Sequence, residues 1–353
     1  MGVFDTIGAE THESVHFGHD PRSGLRAIVA IHSTALGPSL GGTRFYPYAT
    51  EEDALVDVLR LSKGMTYKAA CAGLDQGGGK AVIIGDPRSV GSDDLFRAYG
   101  RFVDGLAGRY ITAEDVGTTV ANMEIVKTMT NNVSGLPRES GGSGDPSPAT
   151  ARGVVAGMRA VAARLWNTDD LAGRRIAIKG IGKVGMSLAE RLADAGADLV
   201  VADVNPLATD HAATALGAKV VSVDEIHSVD CDIFSPCALG ADLNPSSIPE
   251  LSCSAIAGSA NNQLLTEEDA LTLASRGILY APDFVVNAGG IINIAAESGG
   301  YETAKAAAMV DKIYDNLNTI FMAADNLGIG TEQAAVQIAD DRIAARTAEG
   351  AQA

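Results

Sequence analysis

The chain has 353 residues, with 27 Lys plus Arg against 44 Asp plus Glu, giving a formal charge of −17 at neutral pH. Hydrophobic residues make up 46% and charged ones 20%, which excludes a disordered chain and, at about 150 residues per domain, suggests two packed domains. The acidic balance argues against nucleic acid and anionic membranes as partners, because binding to either draws on Lys and Arg neutralising phosphates.

From the N-terminus, MGVFDTIGAE carries no Lys or Arg before Arg22 and lacks the basic start of a secretory signal. No apolar run reaches the about 18 residues of a membrane span, so a cytoplasmic address is expected. Gly2 and Thr6 match the short myristoylation pattern, with no basic patch as a second anchor. Strand-like runs at Arg26–Ser33, Lys80–Asp86 and Arg109–Val116 alternate with helical segments at Glu51–Ser62 and Asp93–Leu106, an α/β pattern. Leu136–Pro148, LPRESGGSGDPSP, reads as a domain junction. A helix follows, with Ser147 as its cap, Pro148 at its first position and TARGVVAGMRAVAARLW as its body. Beyond it, strands at Arg175–Lys179, Leu199–Asp203, Lys219–Val223, Cys231–Ser235, Ala255–Gly258 and Ile278–Ala281 alternate with helices, predicting a doubly wound parallel sheet. Met309, Val310, Ile313, Tyr314, Leu317, Ile320 and Phe321 mark one face of a long amphipathic helix, stopped by Gly328 and Gly330, with Thr331 capping a last helix. The segmentation expected is 1–146, 147–327 and 328–353.

Cys71, Cys231, Cys237 and Cys253 lack the paired spacing of a disulfide scaffold or zinc site, and His12, His16 and His19 lack a completing cysteine or HExxH motif, so no metal is expected. Gly180, Gly182 and Gly185 form GIGKVG between the strand RRIAIK and a helix. Glycines in that context allow a tight turn, close approach to a pyrophosphate and close helix–strand packing. Asp203 ends the next strand, where an acid accepts hydrogen bonds from a ribose and repels a 2′-phosphate, so NAD is favoured over NADP. The plain alternatives are glycines that serve chain geometry alone and an ordinary strand-end acid. Lys183, inside the motif, either helps hold a phosphate or is simply solvated.

Lys68 and Lys80 flank a run ending in Gly77, Gly78 and Gly79, which suggests close approach of backbone and ligand. Two cations converging on one cleft depress each other's proton affinity, fitting one for proton transfer and the other for a carboxylate. Asp115, at a strand end, is a candidate acid or base. The bland reading makes Lys68 a helix-end cation, Lys80 an interdomain salt-bridge partner and Asp115 a cap.

The blocks GPSLGGTRFYPY, MTYKAACAGLDQGGGKAVIIGDP, GRYITAEDVGT, GGSGDPSPAT, GIGKVG, SPCALG, AGSANNQL and YAPDFVVNAGGIINIAAE resemble, in order and over nearly the whole chain, the glutamate, leucine, phenylalanine and valine dehydrogenase family, nearest its leucine and valine members. The resemblance implies an N-terminal α/β substrate domain, a Rossmann-type NAD domain, a C-terminal helix returning to the first domain, and an active site in the interdomain cleft. It implies that Lys68 binds the substrate carboxylate with Asn262, that Lys80 is catalytic and Asp115 its acid/base partner. The implied reaction is reversible conversion of an amino acid to a 2-oxo acid and ammonia. Cofactor-side positions by the same resemblance are Gly180, Ile181, Gly182, Lys183, Val184, Gly185, Thr150, Ser147, Cys237, Ala238 and Asn262; Ser147 and Thr150 have capping, and Cys237 packing, as plain alternatives. Leu40, with Gly41 beside it, and Ala113, Ile291 and Ile294 resemble the side-chain pocket. All four pocket side chains are aliphatic and none can receive a second carboxylate, which points to valine, leucine or isoleucine. The two isoleucines stand where leucine enzymes commonly carry valine, a methylene-sized change worth about 1–3 kcal/mol in discrimination. An aromatic substrate and a non-catalytic NAD-binding sensor are the rival readings. A homo-oligomer is expected.

Overall fold

A computed structural model describes residues 11–350, so the Gly2/Thr6 pattern and the extreme N-terminus lie outside the described residues. The chain divides into two compact units, one made of the chain up to Asp145, Ile291–Thr303 and the chain from Ala339, the other of Pro146–Gly290 and Ala304–Ile338. The first division falls between Asp145 and Pro146. Ile291–Thr303, expected within the second domain, clusters instead with the first unit.

In the first unit, β1 (Ser14–Asp20), β2 (Leu25–Ser33), β3 (Ser39–Tyr46), β4 (Gly77–Ile84) and β5 (Tyr110–Glu114) form a sheet of order β1-β2-β4-β3-β5. The β1–β2 and β2–β4 pairs are antiparallel; β3 lies parallel to β4 and β5. Helix α1 (Glu51–Cys71) starts at a Thr50/Asp53 capping box and covers one face, packing Ala54, Leu55, Val58 and Leu59 on Ile28, Ala30 and Val82. Helix α2 (Asp93–Asp104) covers the other, with Leu95, Phe96, Tyr99 and Val103 against Val29, Ile31, Ala81 and Ile83. Being covered on both faces explains why β2 and β4 read as continuous apolar runs. Strands β1 and β3 are absent from the sequence reading.

The glycines before Lys80 let neighbouring protein segments pack closely on β4. A Cβ on Gly78 would sit 2.1 Å from the Thr66 backbone N, one on Gly77 2.0 Å from the Ser33 carbonyl, and one on Gly79 2.8 Å from the Tyr110 ring. Glycine therefore lets α1 lie directly against β4, and α1 runs on through Cys71, well beyond the expected end at Ser62.

In the second unit, a short helix α3 aside (Val120–Lys127, which belongs to the first), α4 (Ser147–Trp166) leads into β6 (Arg175–Lys179), α5 (Lys183–Asp194), β7 (Asp198–Ala202), α6 (Pro206–Leu216), β8 (Lys219–Val220), β9 (Cys231–Pro236), β10 (Cys253–Ile256), α7 (Glu267–Ser275) and β11 (Leu279–Tyr280). The sheet is entirely parallel, in the order β11-β10-β9-β6-β7-β8. Its first strand is central, with later strands added on either side, the doubly wound arrangement that opens a crevice at the strands' carboxyl ends.

Three local expectations need correction. Ser147 is the first helical residue and not the cap: Pro146 takes that place, its carbonyl accepting from Thr150 N at 2.9 Å. The amphipathic stretch near the end is two helices, α10 (Thr303–Asp311) and α11 (Ile313–Leu327), following α8 (Asp283–Val286) and α9 (Gly289–Ala295). Val310, Ile313, Leu317 and Ile320 keep their apolar spacing across the interruption, which hides it from periodicity. Gly328 does end α11, in the left-handed conformation. Thr331 begins α12 (Thr331–Gly350) and does not cap it; its hydroxyl donates to the Tyr280 carbonyl at 2.6 Å. From Ala339 onward α12 belongs to the first unit, where Arg342 donates to the carbonyls of Ala70 and Leu74 after α1.

Candidate active site

Side chains alternate across a strand, so Gly78, Lys80 and Val82 of β4 share the sheet face covered by α1. Register puts Leu40 of β3 beside Gly78 and Ile111, and Gly42 beside Ala113. Leu40, Gly42 and Ala113 therefore occupy that same face, and Asp115 follows just beyond β5. The structure brings Lys80 and Asp115 together: Lys80 Nζ lies 2.6 Å from Asp115 Oδ2, with side chains 8% and 22% exposed.

Several groups hold that carboxylate. Asp115 N donates to Thr118 Oγ1 at 2.9 Å, and Thr118 Oγ1 donates to the Thr43 carbonyl of β3 at 2.9 Å. Gly42 leaves the room: a Cβ there would meet Asp115 Cβ at 2.8 Å. Arg44 Nε is 3.7 Å from Asp115 Oδ2, while Arg44 Nη1 donates to Asp57 at 2.9 Å and Tyr48 OH to the same carboxylate at 2.5 Å. Burial alone would raise the Asp115 carboxyl; the cations of Lys80 and Arg44 and the Val116 N–H outweigh it and hold the group below its ordinary value. The result is a buried lysine ion-paired with a carboxylate, a pair able to relay a proton.

Lys68 lies half-buried in the last turn of α1, where helix carbonyls favour a cation. Leu40 and Ala113 are each 2% exposed. Gly41 points to the opposite face, its Cβ position filled by the Gly79 carbonyl. Ile291 and Ile294 lie on α9, in the segment that clusters with this first unit.

In the second unit the remaining residues gather at the carboxyl edge of the sheet. Gly180 adopts φ +101°, and its Cβ position lies 2.7 Å from Ala238 N, so the turn after β6 packs on the loop after β9. Gly185 meets the Gly180 carbonyl at 2.0 Å, bringing α5 onto the turn, whereas the Cβ position of Gly182 is open. α5 starts at Gly182 with no side-chain cap, leaving N–H groups to a phosphate. Ile181 is buried, Val184 half-buried and Lys183 exposed at the first helical position. Asp203 accepts from Ile181 N at 2.6 Å and Asn205 N at 2.8 Å, bonds that leave lone pairs for a hydroxyl. Cys237 packs behind the turn: its N donates to the Lys179 carbonyl, its Cβ lies near Gly185, and burial pushes its thiol up. Thr150 donates to Pro146 O at 3.1 Å and fits against Gly290.

The loop after β10 carries Asn262, exposed and in the left-handed conformation, its carbonyl accepting from Ala241 N at 2.7 Å. Sequence reading missed what shapes this loop. Buried Gln263 donates to the carbonyls of Gly258 and Ala260, Asp283 accepts from Gln263 N at 2.7 Å, and Asn287 donates to Asn261 Oδ1 at 3.0 Å. The signal available was polar residues within the apolar runs AGSANNQL and YAPDFVVNAGG.

Comparison with known proteins matches the "Glu/Leu/Phe/Val dehydrogenase, dimerisation domain" over residues 12–132 and the "Glutamate/Leucine/Phenylalanine/Valine dehydrogenase" family over 141–207 and 203–347. The chain belongs to this amino acid dehydrogenase family. It is 49% identical to a leucine dehydrogenase of Geobacillus stearothermophilus over 97% of this chain and 94% of that protein. A valine dehydrogenase of Streptomyces virginiae is 50% identical over 94% of each. The crystal structure of L-tryptophan dehydrogenase from Nostoc punctiforme superposes with a TM-score of 0.85 at 46% identity, covering 97% of this chain and 99% of that one. The family is one of oxidoreductases using a nicotinamide cofactor, and the glycine turn with its uncapped helix start suits such a dinucleotide.

Proposed function

We propose that this dehydrogenase carries out NAD-dependent, reversible oxidative deamination of an aliphatic branched-chain L-amino acid, giving the 2-oxo acid and ammonia. The observation that carries the reading is the Lys80–Asp115 pair, 2.6 Å apart on one sheet face with the aliphatic Leu40 and Ala113. The leucine and valine dehydrogenases at about half identity support the aliphatic choice.

In the proposed reaction Lys68 and Asn262 hold the substrate carboxylate, and Leu40, Ala113, Ile291 and Ile294 hold its side chain. Gly180, Gly182, Gly185, Asp203 and Thr150 would hold the dinucleotide, with Cys237 and Ala238 backing the turn; when bound, its nicotinamide accepts the Cα hydride. Asp115 takes a proton from the substrate amine. Lys80, after giving its own proton to bulk water, takes one from the water that adds to the resulting substrate imine, then returns it as the carbinolamine releases ammonia. The aspartate at 203 favours NAD by repelling a 2′-phosphate. A homo-oligomer in the cytoplasm accords with the family's dimerisation domain, four free cysteines and the lack of any described helix long and apolar enough to cross a membrane.

The relative acting on tryptophan, 47% identical, favours a second reading in which the substrate is aromatic. NADH formation from L-valine, L-leucine, L-isoleucine, L-phenylalanine, L-tryptophan and L-glutamate, with NADP+ as control, separates the two. Aliphatic turnover with NAD+ is expected. Predominantly aromatic turnover would overturn the pocket, and silence throughout would revive the sensor.

A further inference from the structure

Glu297 lies two residues past α9, outside every group assigned a chemical role above. Its carboxylate accepts from Gly135 N at 3.1 Å through both oxygens and from Ser143 N at 2.7 Å, joining backbone 162 and 154 residues away. The loop is folded to present those two donors together. Gly144 N bonds to the Leu136 carbonyl at 3.0 Å, Gly142 has no room for a Cβ beside that carbonyl, and Gly135 takes φ +74°. Both anchor residues are buried, where hydrogen bonds to an ionised acceptor are strong.

Each end of this clamp leads to the proposed pocket. Glu297 N donates to the Ile294 carbonyl at 3.1 Å, so the anchored residue is bonded directly to one pocket isoleucine. The Cβ position of Gly135 lies 3.8 Å from Ala113 Cβ, so the anchor point adjoins a second pocket residue on β5. All of these residues belong to the first unit.

We infer that Glu297 is a positioning residue for side-chain specificity, fixing the α9 wall carrying Ile291 and Ile294 relative to Ala113. It touches no reacting atom. Loss of the clamp frees the wall and blurs discrimination among amino acid side chains, leaving the nucleotide site unaffected. The inference rests on the substrate reading above and deepens it.

The test compares wild type, Glu297→Ala and Glu297→Gln in kcat and KM for valine, leucine, isoleucine and phenylalanine, KM for NAD+, and hydrogen exchange over 135–144 and 289–297. Glu297→Ala is expected to raise KM for the preferred amino acid by about tenfold and compress the aliphatic-to-aromatic kcat/KM ratio by a similar factor, as lost ground-state positioning does. KM for NAD+ stays at the wild-type value, and exchange quickens in both segments. Glu297→Gln keeps one acceptor oxygen and falls between; it also supplies the answer if the alanine variant fails to fold. Variants with a wild-type substrate ratio, alongside an active wild type, would overturn the inference alone. A wild type silent on every amino acid would instead sink the substrate reading on which it rests.

Discussion

Gly42→Ala adds one methyl group where the structure has no space for it. The new Cβ would lie 2.8 Å from Asp115 Cβ and 2.6 Å from the Glu114 carbonyl oxygen. Carbon atoms rest at about 3.5–4.0 Å, so Asp115 must retreat by about 1 Å. Lys80 Nζ now sits 2.6 Å from Asp115 Oδ2; the same retreat along that line takes the contact to about 3.6 Å, beyond a hydrogen bond. A bond to a charged group contributes about 1.5–3 kcal/mol, and a 1 Å misplacement of a catalytic group costs about 100-fold in rate. The Glu114 carbonyl belongs to the main chain and cannot swing aside, so the thermal midpoint should fall as well, while kcat falls about 100-fold. The assay is kcat with saturating NAD+ and the best aliphatic amino acid, with thermal midpoint and NAD+ affinity alongside. Gly64→Ala on α1 is the control, since nothing lies within 4 Å of its Cβ position. Wild-type kcat in Gly42→Ala would refute the claim that the Lys80–Asp115 geometry governs turnover.

Other perturbations address separate parts of the chain. Lys80→Ala should lose turnover by at least about 100-fold while still binding NAD+, measured by nucleotide fluorescence; retained activity would remove the lysine from the chemistry. Asp203→Ser should raise the NADP+/NAD+ ratio of kcat/KM by about tenfold, and an unchanged ratio would mean that the aspartate does no more than tie Ile181 to β7. Glu332 has its acid pushed up from 4.5 to about 8, first by burial and then by Asp283 and Glu267. A raised native pKa gives stability that is present below the unfolded value and lost as pH rises toward the native one. Glu332→Gln should therefore match wild type in thermal midpoint near pH 4.5 and exceed it by a margin that grows up to about pH 8 and is flat above. Equal midpoints at pH 9 would show that Glu332 ionises there without penalty.

The second unit was legible because its central strands are short buried runs, β6 and β7 each followed by a helix, and because glycines in GIGKVG announce a turn whatever surrounds it. The first unit was harder for identifiable reasons. β1, SVHFGHD, pairs on one side only and alternates weakly, while β3, SLGGTRFY, contains two glycines that depress strand preference. Those glycines are demanded by neighbours distant in sequence, Gly79 for one and Asp115 for the other. The triple glycine before Lys80 likewise answers to distant neighbours, Ser33, Thr66 and Tyr110, which sequence alone does not bring together. Lys80 and Asp115 were readable from motifs, but Gly42, Arg44 and Glu297 act through other residues and have no local signature.

Four boundaries separate the two compact units along the chain, at 145/146, 290/291, 303/304 and 338/339. A recombinant made by a single cut near residue 146 would therefore transfer Ile291 and Ile294 along with the GIGKVG turn, mixing the proposed substrate and cofactor determinants in one exchange. Grafting a new cofactor preference cleanly requires moving Pro146–Gly290 and leaving α9 behind from Ile291. For the same reason a homologous crossover inside the GGIINIA stretch would split the proposed pocket, and the seam between the two compact units runs through that short helix.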